Sequence, residues 1–243
     1  MKKVFLITLA AMTLFACNNA KKAEKGSVFY TDYDTPYGTP PFDRITEDDF
    51  RPAFAYGMEQ HSKEIDSLAN NPEAPTYENT IVALDNSGKI LERVSAVFFA
   101  LEGADKTDAI EQIAIEVSPK LSEHNDNIYL NEQLFERIKT VYDQAENLNL
   151  TTEQKQLLNK YYKRFVRGGI LLNDSAKQRL REINKELSAL TLQYGNNVLK
   201  ETNNFKLVIE DEKDLSGLPD AVIAAAAETA KANGMEGKWV FTL

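Results

Sequence analysis

Apolar residues recur every three or four positions through most of the chain between residues 54 and 194. This spacing places side chains on one face of an α-helix, because a helix turns once every 3.6 residues. The pattern predicts a mainly α fold in which each amphipathic helix buries one face. The recurring positions are Phe54, Met58, Ile65 and Leu68; Ile81, Leu84, Leu91 and Phe98; Ile110, Ile113, Val117 and Leu121; Leu134, Ile138 and Val141; Leu158, Tyr161, Tyr162 and Phe165; and Leu180, Ile183, Leu187, Leu190 and Tyr194.

Start and stop signals set the expected helix ends in the first half of the chain. Thr46 is expected to cap a short turn, and Pro52 to begin a new helix, because proline suits the first helical turn and breaks a helix interior. Thr76 is expected to cap a helix whose apolar stripe continues to Phe98. Gly88 lies in that stripe, and its small size predicts a close approach of a neighbouring helix.

The second half carries similar signals. Pro119 is expected to bend or interrupt its helix. Thr151 and Gln154 form a capping box that opens the next one. Asp174 is expected to cap the longest helix, whose stripe comes close to a heptad repeat. This region is therefore expected to form two long antiparallel helices in a bundle.

Only the range 204–243 changes to an alternating pattern. Apolar residues alternate with polar ones over 205–209 and again over 239–243, which is typical of β-strands. An Ala-rich helix is expected between them, over 220–232. The second strand runs to the last residue and would leave an apolar edge that natural proteins avoid, so we expect an incomplete domain.

A basic start followed by an uncharged apolar run predicts an export signal in residues 1–16. The run is too short for a membrane span, which needs about 20 residues. Leu14-Phe15-Ala16-Cys17 resembles the bacterial lipobox, in which the cysteine becomes the lipidated N-terminus. We therefore expect lipidation at Cys17 and an extended tether or arm over 17–40. The alternative is an ordinary buried cysteine that follows a cleaved signal.

These features predict an exported, membrane-anchored lipoprotein that faces the periplasm. Asn18 after the cysteine favours the outer membrane, by analogy with enterobacterial sorting. The chain has 28 Lys and Arg against 37 Asp and Glu, a net charge of −9, which repels polyphosphates and excludes nucleic acid as a partner. Membrane contact is expected through the lipid anchor only. The single cysteine excludes an internal disulfide framework.

The chain offers little material for catalysis. A helix-borne zinc site needs the pattern His-Glu-x-x-His, so that two imidazoles project from one face. His61 is followed by Ser-Lys and His124 by Asn-Asp, so neither histidine fits the pattern. Both are expected to be solvated on charged helices. No residue of this chain is assigned as catalytic or as a metal ligand.

A cluster of basic residues over 160–167 allows two interpretations. Lys160, Lys163, Arg164 and Arg167 share a helix face, which could contact an acidic partner but is more typical of a solvated surface. The following pair, Gly168-Gly169, could form an anion-binding nest, although a helix C-cap is the more usual role.

A series of short stretches lies in order along residues 41–243, and none carries a catalytic group by itself. They are Pro41-Phe42-Asp43 with Ile45; Phe50-Arg51-Pro52-Ala53-Phe54 with Gly57-Met58; Asn71 to Ile81; Ser87-Gly88; Arg93-Val94-Ser95; Val97-Phe98-Phe99; Asn127 to Asn131; Leu134-Phe135; Arg164-Phe165-Val166 with Gly168-Gly169; Asn197-Val198-Leu199; Gly217-Leu218-Pro219; and Gly237-Lys238-Trp239. In this order they resemble the N-terminal part of the thimet-oligopeptidase-like zinc metallopeptidases. They are most similar to the bacterial peptidyl-dipeptidases of the Dcp type, mainly through 97–99 and 126–130.

The resemblance implies a multi-helix N-terminal lobe of a channel-type metallopeptidase over 41–203, followed by a truncated strand-helix-strand segment over 204–243. In that family the zinc ligands would lie beyond residue 243. The resemblance therefore implies zinc in a full-length parent, none bound by this fragment, and no activity of the fragment alone. The implied substrates are short unstructured peptides, from which the enzyme removes C-terminal dipeptides. The alternative is a non-catalytic helical lipoprotein that acts as a binding or scaffold module.

Overall fold

A computed structural model of the chain describes residues 24–243. It confirms the mainly α fold, with a two-stranded sheet near the end. The expected signal peptide and Cys17 lie outside the described residues. The helices are α1 (Glu47–Ala69), α2 (a π-helical turn Tyr77–Val82 followed by Ala83–Asp85), α3 (Lys89–Ala104), α4 (Asp108–Tyr129), α5 (Glu132–Asp143), α6 (Thr152–Arg167), α7 (Asp174–Asn204) and α8 (Asp220–Ala232). The strands are β1 (Leu207–Ile209) and β2 (Trp239–Phe241).

The helix α1 is continuous through Pro52, so the expectation of a short turn and a second helix was wrong. Asp49 accepts the Thr46 N–H at 2.8 Å and closes a capping box at the start. Proline removes only the bond to the carbonyl of Asp48, a residue that is exposed and can be solvated. Phe50 and Phe54 are buried on either side of Pro52, and this burial outweighs the lost hydrogen bond.

The expected helix from Thr76 to Phe98 is divided in two. Asn79 N–H donates to Thr76 Oγ1 at 3.0 Å, which confirms the cap. The helix then ends because Asn86 Nδ2 donates to the Val82 carbonyl and Ser87 Oγ to the Leu84 carbonyl, at 2.9 and 2.7 Å. Side chains that bond nearby carbonyls compete with the helical hydrogen bonds.

The helix α4 is continuous through Pro119, so the expected interruption does not occur. Proline leaves the carbonyl four residues earlier, that of Ile115, without its helical donor. Ile115 is on the exposed side of the helix, where water can bond the carbonyl. The buried residues Ile113 and Val117 hold the helix against the core on the opposite side.

The helix α7 packs antiparallel to α4 rather than to α6, the partner expected from the sequence, and through a different face from the one expected. Polar side chains make the contact: Asn184 Nδ2 donates to Asp126 Oδ1 at 2.7 Å, and Asn196 Nδ2 to Glu111 Oε1 at 2.6 Å. The apolar stripe points outward instead, with Ile183, Leu187, Leu190 and Tyr194 all exposed. The expected cap Asp174 is the first helical residue, and Asn173 accepts the Ala176 N–H at 2.9 Å in its place.

Two apolar clusters form the core, and α1 contributes to both. The first cluster joins the N-terminal half of α1 to α3 and α4, and the second joins its C-terminal half to α2, α5 and α6. Phe29 belongs to the first cluster and is fully buried against Phe50, although it lies in the range expected to form a tether and arm. The packed part of the chain therefore begins before residue 41.

The C-terminal segment confirms the predicted strand-helix-strand order. The strands pair antiparallel, with Val208 opposite Val240, and α8 packs against β2. Val240, Leu215, Ala226 and Ala230 are the buried residues of this small unit.

Candidate functional site

Two histidines that are 63 residues apart meet between α1 and α4. His124 Nε2 lies 3.0 Å from His61 Nδ1, and the His61 Nε2 lies 3.2 Å from Ser87 Oγ. The Ser62 Oγ lies 3.5 Å from His124 Nδ1. Only 6% of the surface of His124 is exposed, so the expectation that both histidines are solvated was wrong. No local pattern could show the pair, because it depends on how α1 packs against α4.

The hydroxyl of Ser87 determines the direction of the hydrogen bonds that link Ser87, His61 and His124. Ser87 Oγ–H donates to the Leu84 carbonyl at 2.7 Å, so Ser87 Oγ can only accept from His61 Nε2–H. His61 Nδ1 then carries a lone pair, which accepts from His124 Nε2–H. The His61 imidazole is therefore neutral. The Ser87–His61 pair resembles a nucleophile and its base, but Ser87 accepts a hydrogen bond from the histidine rather than donating one to it.

Burial explains why both rings stay neutral. Burial, together with the repulsion from His61, lowers the pKa of His124 to about 4. Burial also lowers the pKa of His61, against the opposing effect of the Glu64 carboxylate. Near neutral pH the pair can hold its relay of hydrogen bonds but does not carry a positive charge.

The turn between α2 and α3 closes over His61. Gly88 has φ of +73°, a conformation that favours glycine, and its N–H donates to Glu64 Oε2 at 2.7 Å. A Cβ at Gly88 would lie 2.8 Å from the His61 ring. The close approach expected of Gly88 is confirmed, although a turn residue makes it rather than a helix interior.

Beside the pair lies a cleft of about 680 Å³ that His61 and Ser87 help to line. Across it, the Arg164 guanidinium lies 4.5 Å from the centre of the Tyr129 ring. Tyr161 Oη–H donates to Asp85 Oδ1 at 2.8 Å, and burial with this bond raises the pKa of Tyr161. The cleft can bind a polar ligand, but these groups form no activated nucleophile. Sequence reasoning missed these pairings, although three of the stretches that carry the family resemblance contribute to the cleft, through Ser87, Tyr129 and Arg164.

The donor set does not fit the zinc ion that the family resemblance implies. Within residues 24–243, no three His, Cys, Asp or Glu side chains are arranged to hold a metal ion. His61 and His124 use the facing nitrogens on each other. We therefore derive no step of a reaction through a metal in this part of the protein.

The expected lipidation residue, Cys17, lies outside the described residues. In the part of the chain that the structure describes, no helix is both long enough and apolar enough to span a bilayer.

The histidine pair makes stability depend on pH. The unfolded histidines take up protons as the pH falls through their ordinary pKa of 6.5, whereas the folded ones do so only at lower pH. The free energy of unfolding should therefore fall as the pH drops below 6.5, and the contribution of His124, up to about 1.4 kcal/mol per pH unit, should continue down to about pH 4. Urea unfolding at several pH values measures this.

The control for this prediction is His124→Gln, which removes one titrating group. Its unfolding free energy should depend less steeply on pH below 6.5 than that of the parent chain, since only His61 remains. Equal slopes for the two proteins would contradict the prediction.

Comparison with known proteins identifies peptidases as relatives. Dipeptidyl carboxypeptidase of Escherichia coli is 38% identical over 208 residues, which are 86% of this chain and 30% of the relative. The Salmonella typhimurium dipeptidyl carboxypeptidase is 36% identical over 86% of the chain and 31% of the relative. Oligopeptidase A of Haemophilus influenzae is 29% identical over 85% of the chain and 30% of the relative. No family model matches the chain.

The chain is thus a homologue of bacterial peptidases. It is homologous to dipeptidyl carboxypeptidase and oligopeptidase A, enzymes of the thimet-oligopeptidase family, which confirms the resemblance seen in the sequence. The chain spans about 30% of the length of the relatives that it matches.

Proposed function

We propose that this chain is the N-terminal part of a lipid-anchored zinc metallopeptidase, a peptidyl-dipeptidase that removes C-terminal dipeptides from unstructured peptides. The observation that carries the proposal is the 38% identity to a dipeptidyl carboxypeptidase over 86% of the chain. The identity to oligopeptidase A is lower, at 29%, which supports the dipeptidase mode over the endopeptidase mode.

In this proposal the chain supplies structure rather than chemistry. A catalytic zinc ion polarises the scissile carbonyl and activates water. Its ligands would come from another part of the parent protein, because the donor set of residues 24–243 does not fit a zinc site. The helices described here would form a wall of the substrate channel, so that unstructured peptides enter and folded proteins do not.

The outward face of α7 supports a role within a larger protein. Leu187, Leu190 and Tyr194 are 57, 51 and 72% exposed, and they follow one another at helical spacing. A contiguous apolar face of this kind marks a contact with another protein surface. We propose that it packs against the remainder of the parent enzyme.

Two measurements test the proposal: the reading frame of the gene beyond codon 243 and the peptidase activity of its product. We expect the reading frame to continue past codon 243 to a His-Glu-x-x-His motif. The extended protein should release dipeptides from an N-terminally blocked peptide, in a reaction that a chelator stops. A peptide with an amidated C-terminus should resist cleavage, because a dipeptidase of this kind requires a free carboxylate.

The 243-residue chain is the matched control and should release no dipeptide. Chelator-sensitive turnover by this chain alone would overturn the proposal. A genomic frame that closes at codon 243 would instead favour a non-catalytic helical lipoprotein that acts as a binding or scaffold module.

The lipid anchor is tested separately by Cys17→Ser. We expect this variant to lose lipid labelling and to leave the membrane fraction of a bacterial host, because only the cysteine can carry the acyl chains. Fractionation with radioactive palmitate measures both effects. Unchanged lipid labelling of the variant would contradict the anchor.

A further inference from the structure

The C-terminal half of α6 carries a cluster of positive charge on an acidic protein. Lys160, Lys163, Arg164 and Arg167 are all exposed and lie on one helix face. None of the ion pairs found within residues 24–243 involves any of them. Since most other basic side chains of this region do pair with carboxylates, Lys160, Lys163 and Arg167 are available to an external anion, as is Arg164 beside the Tyr129 ring.

The four cations line a cleft of about 570 Å³. Its other lining residues are Gln156, Asn159 and Gly168, so every charged group on its wall is positive. Amide N–H groups and basic side chains are the donors that phosphate oxygens accept from. The chemistry of the cleft therefore suits phosphate-bearing ligands.

Apolar side chains follow the basic cluster directly in the sequence. The chain leaves α6 through a turn in which Ile170 is buried, while Leu171 and Leu172 are 68 and 43% exposed. Gly169 directs the turn with φ of +96°. Exposed leucines beside a basic surface are typical of protein segments that insert into the boundary of an anionic bilayer. A free phosphate ion or an acidic peptide would leave these leucines in water.

We propose that the basic surface of α6, together with Leu171 and Leu172, docks on an anionic phospholipid bilayer. The basic side chains bind the phosphate groups of the lipids, and the leucines enter the acyl region below them. This contact would be additional to the anchor at Cys17, and it would fix the orientation of the helical lobe at the membrane.

The test compares charge reversals in the full chain. Vesicles of phosphatidylcholine alone and of phosphatidylcholine mixed with phosphatidylglycerol are sedimented with the protein. Each basic residue near an anionic surface contributes about fivefold to binding, so Lys163→Glu with Arg167→Glu should weaken binding to the mixed vesicles at least about tenfold. The apolar run at residues 4–16 is common to all variants, and the vesicles of phosphatidylcholine alone measure binding that does not depend on anionic lipid.

A matched control carries the same change of net charge elsewhere. Lys185→Glu with Lys200→Glu reverses two exposed lysines of α7, and it should leave vesicle binding within about twofold of the parent. Circular dichroism melting confirms that each variant is folded. An equal loss of binding in both double variants would overturn the proposal, because net charge would then explain the effect.

The apolar contribution distinguishes a bilayer from other anions. Leu171→Asn should lower binding to the mixed vesicles several-fold and preserve its weakening by salt. Competition with inorganic phosphate or polyglutamate at constant ionic strength should have little effect on vesicle binding. Strong competition by either probe would overturn the proposal that the ligand is a bilayer and would identify a soluble anion or an acidic protein instead. Unchanged vesicle binding in Leu171→Asn would overturn it as well.

Discussion

Replacement of Arg137 by methionine is expected to lower the free energy of unfolding by about 3 kcal/mol. Arg137 lies in α5 and is 7% exposed. Its Nη1 donates to the carbonyls of Asn71 and Glu73 at 2.7 and 3.0 Å, and its Nη2 donates to Asn79 Oδ1 at 3.1 Å. One buried guanidinium thus fixes both ends of the segment that joins α1 to α2.

The large expected effect comes from the acceptors that the substitution leaves behind. The acceptors are part-buried, and each bond that they lose comes from a charged donor, which contributes about 1.5–3 kcal/mol, more than a bond between neutral groups. Methionine fills much of the same volume, so the loss reports hydrogen bonding rather than a cavity. Denaturant unfolding followed by circular dichroism measures it.

The control for Arg137 is a surface arginine. Arg179 pairs with Glu182 at 2.9 Å, and both side chains are more than half exposed. Exposed pairs contribute little, so Arg179→Met should change the unfolding free energy by less than about 0.5 kcal/mol. Similar losses in the two variants would show that Arg137 acts only through its general contribution to the helix.

Arg137 also shows where sequence reasoning ends. The apolar spacing of Leu134, Ile138 and Val141 correctly predicted α5, because that pattern is local. The inward direction of Arg137 depends on carbonyls more than 60 residues away. The same limit hid the contact of His61 with His124, since neither helix carries a signal for the other.

Helix caps were predictable from the sequence where no tertiary contact opposes the local preference. The cap at Thr76 and the capping box at Thr151 form as expected, since each involves residues three positions apart. Pro52 was misread because the burial of phenylalanines on both sides overrides the local preference of proline. The apolar stripe of α7 was predicted correctly, but the prediction that it is buried was wrong. Periodicity identifies the apolar face of a helix and not the surface against which that face packs.

The second large effect is expected at Phe98, where alanine should lower the free energy of unfolding by about 4 kcal/mol. The side chain is fully buried in the cluster that joins α1, α3 and α4. Its ring meets those of Phe50 and Phe54 edge-on, with centroids 5.1 and 5.2 Å away. Removing it leaves a cavity among rigid rings that cannot collapse, and each edge-on contact adds to the loss.

The adjacent residue provides a control with the same chemistry in the same helix. Phe99 is 41% exposed, and its ring lies 6.3 Å from that of Phe54 at the edge of the cluster. Phe99→Ala should therefore cost only about 1 kcal/mol, because water already reaches the side chain and fills the space that is vacated. Denaturant unfolding of both variants measures the difference. Equal losses would contradict the packing, because Phe98 and Phe99 would then be buried alike.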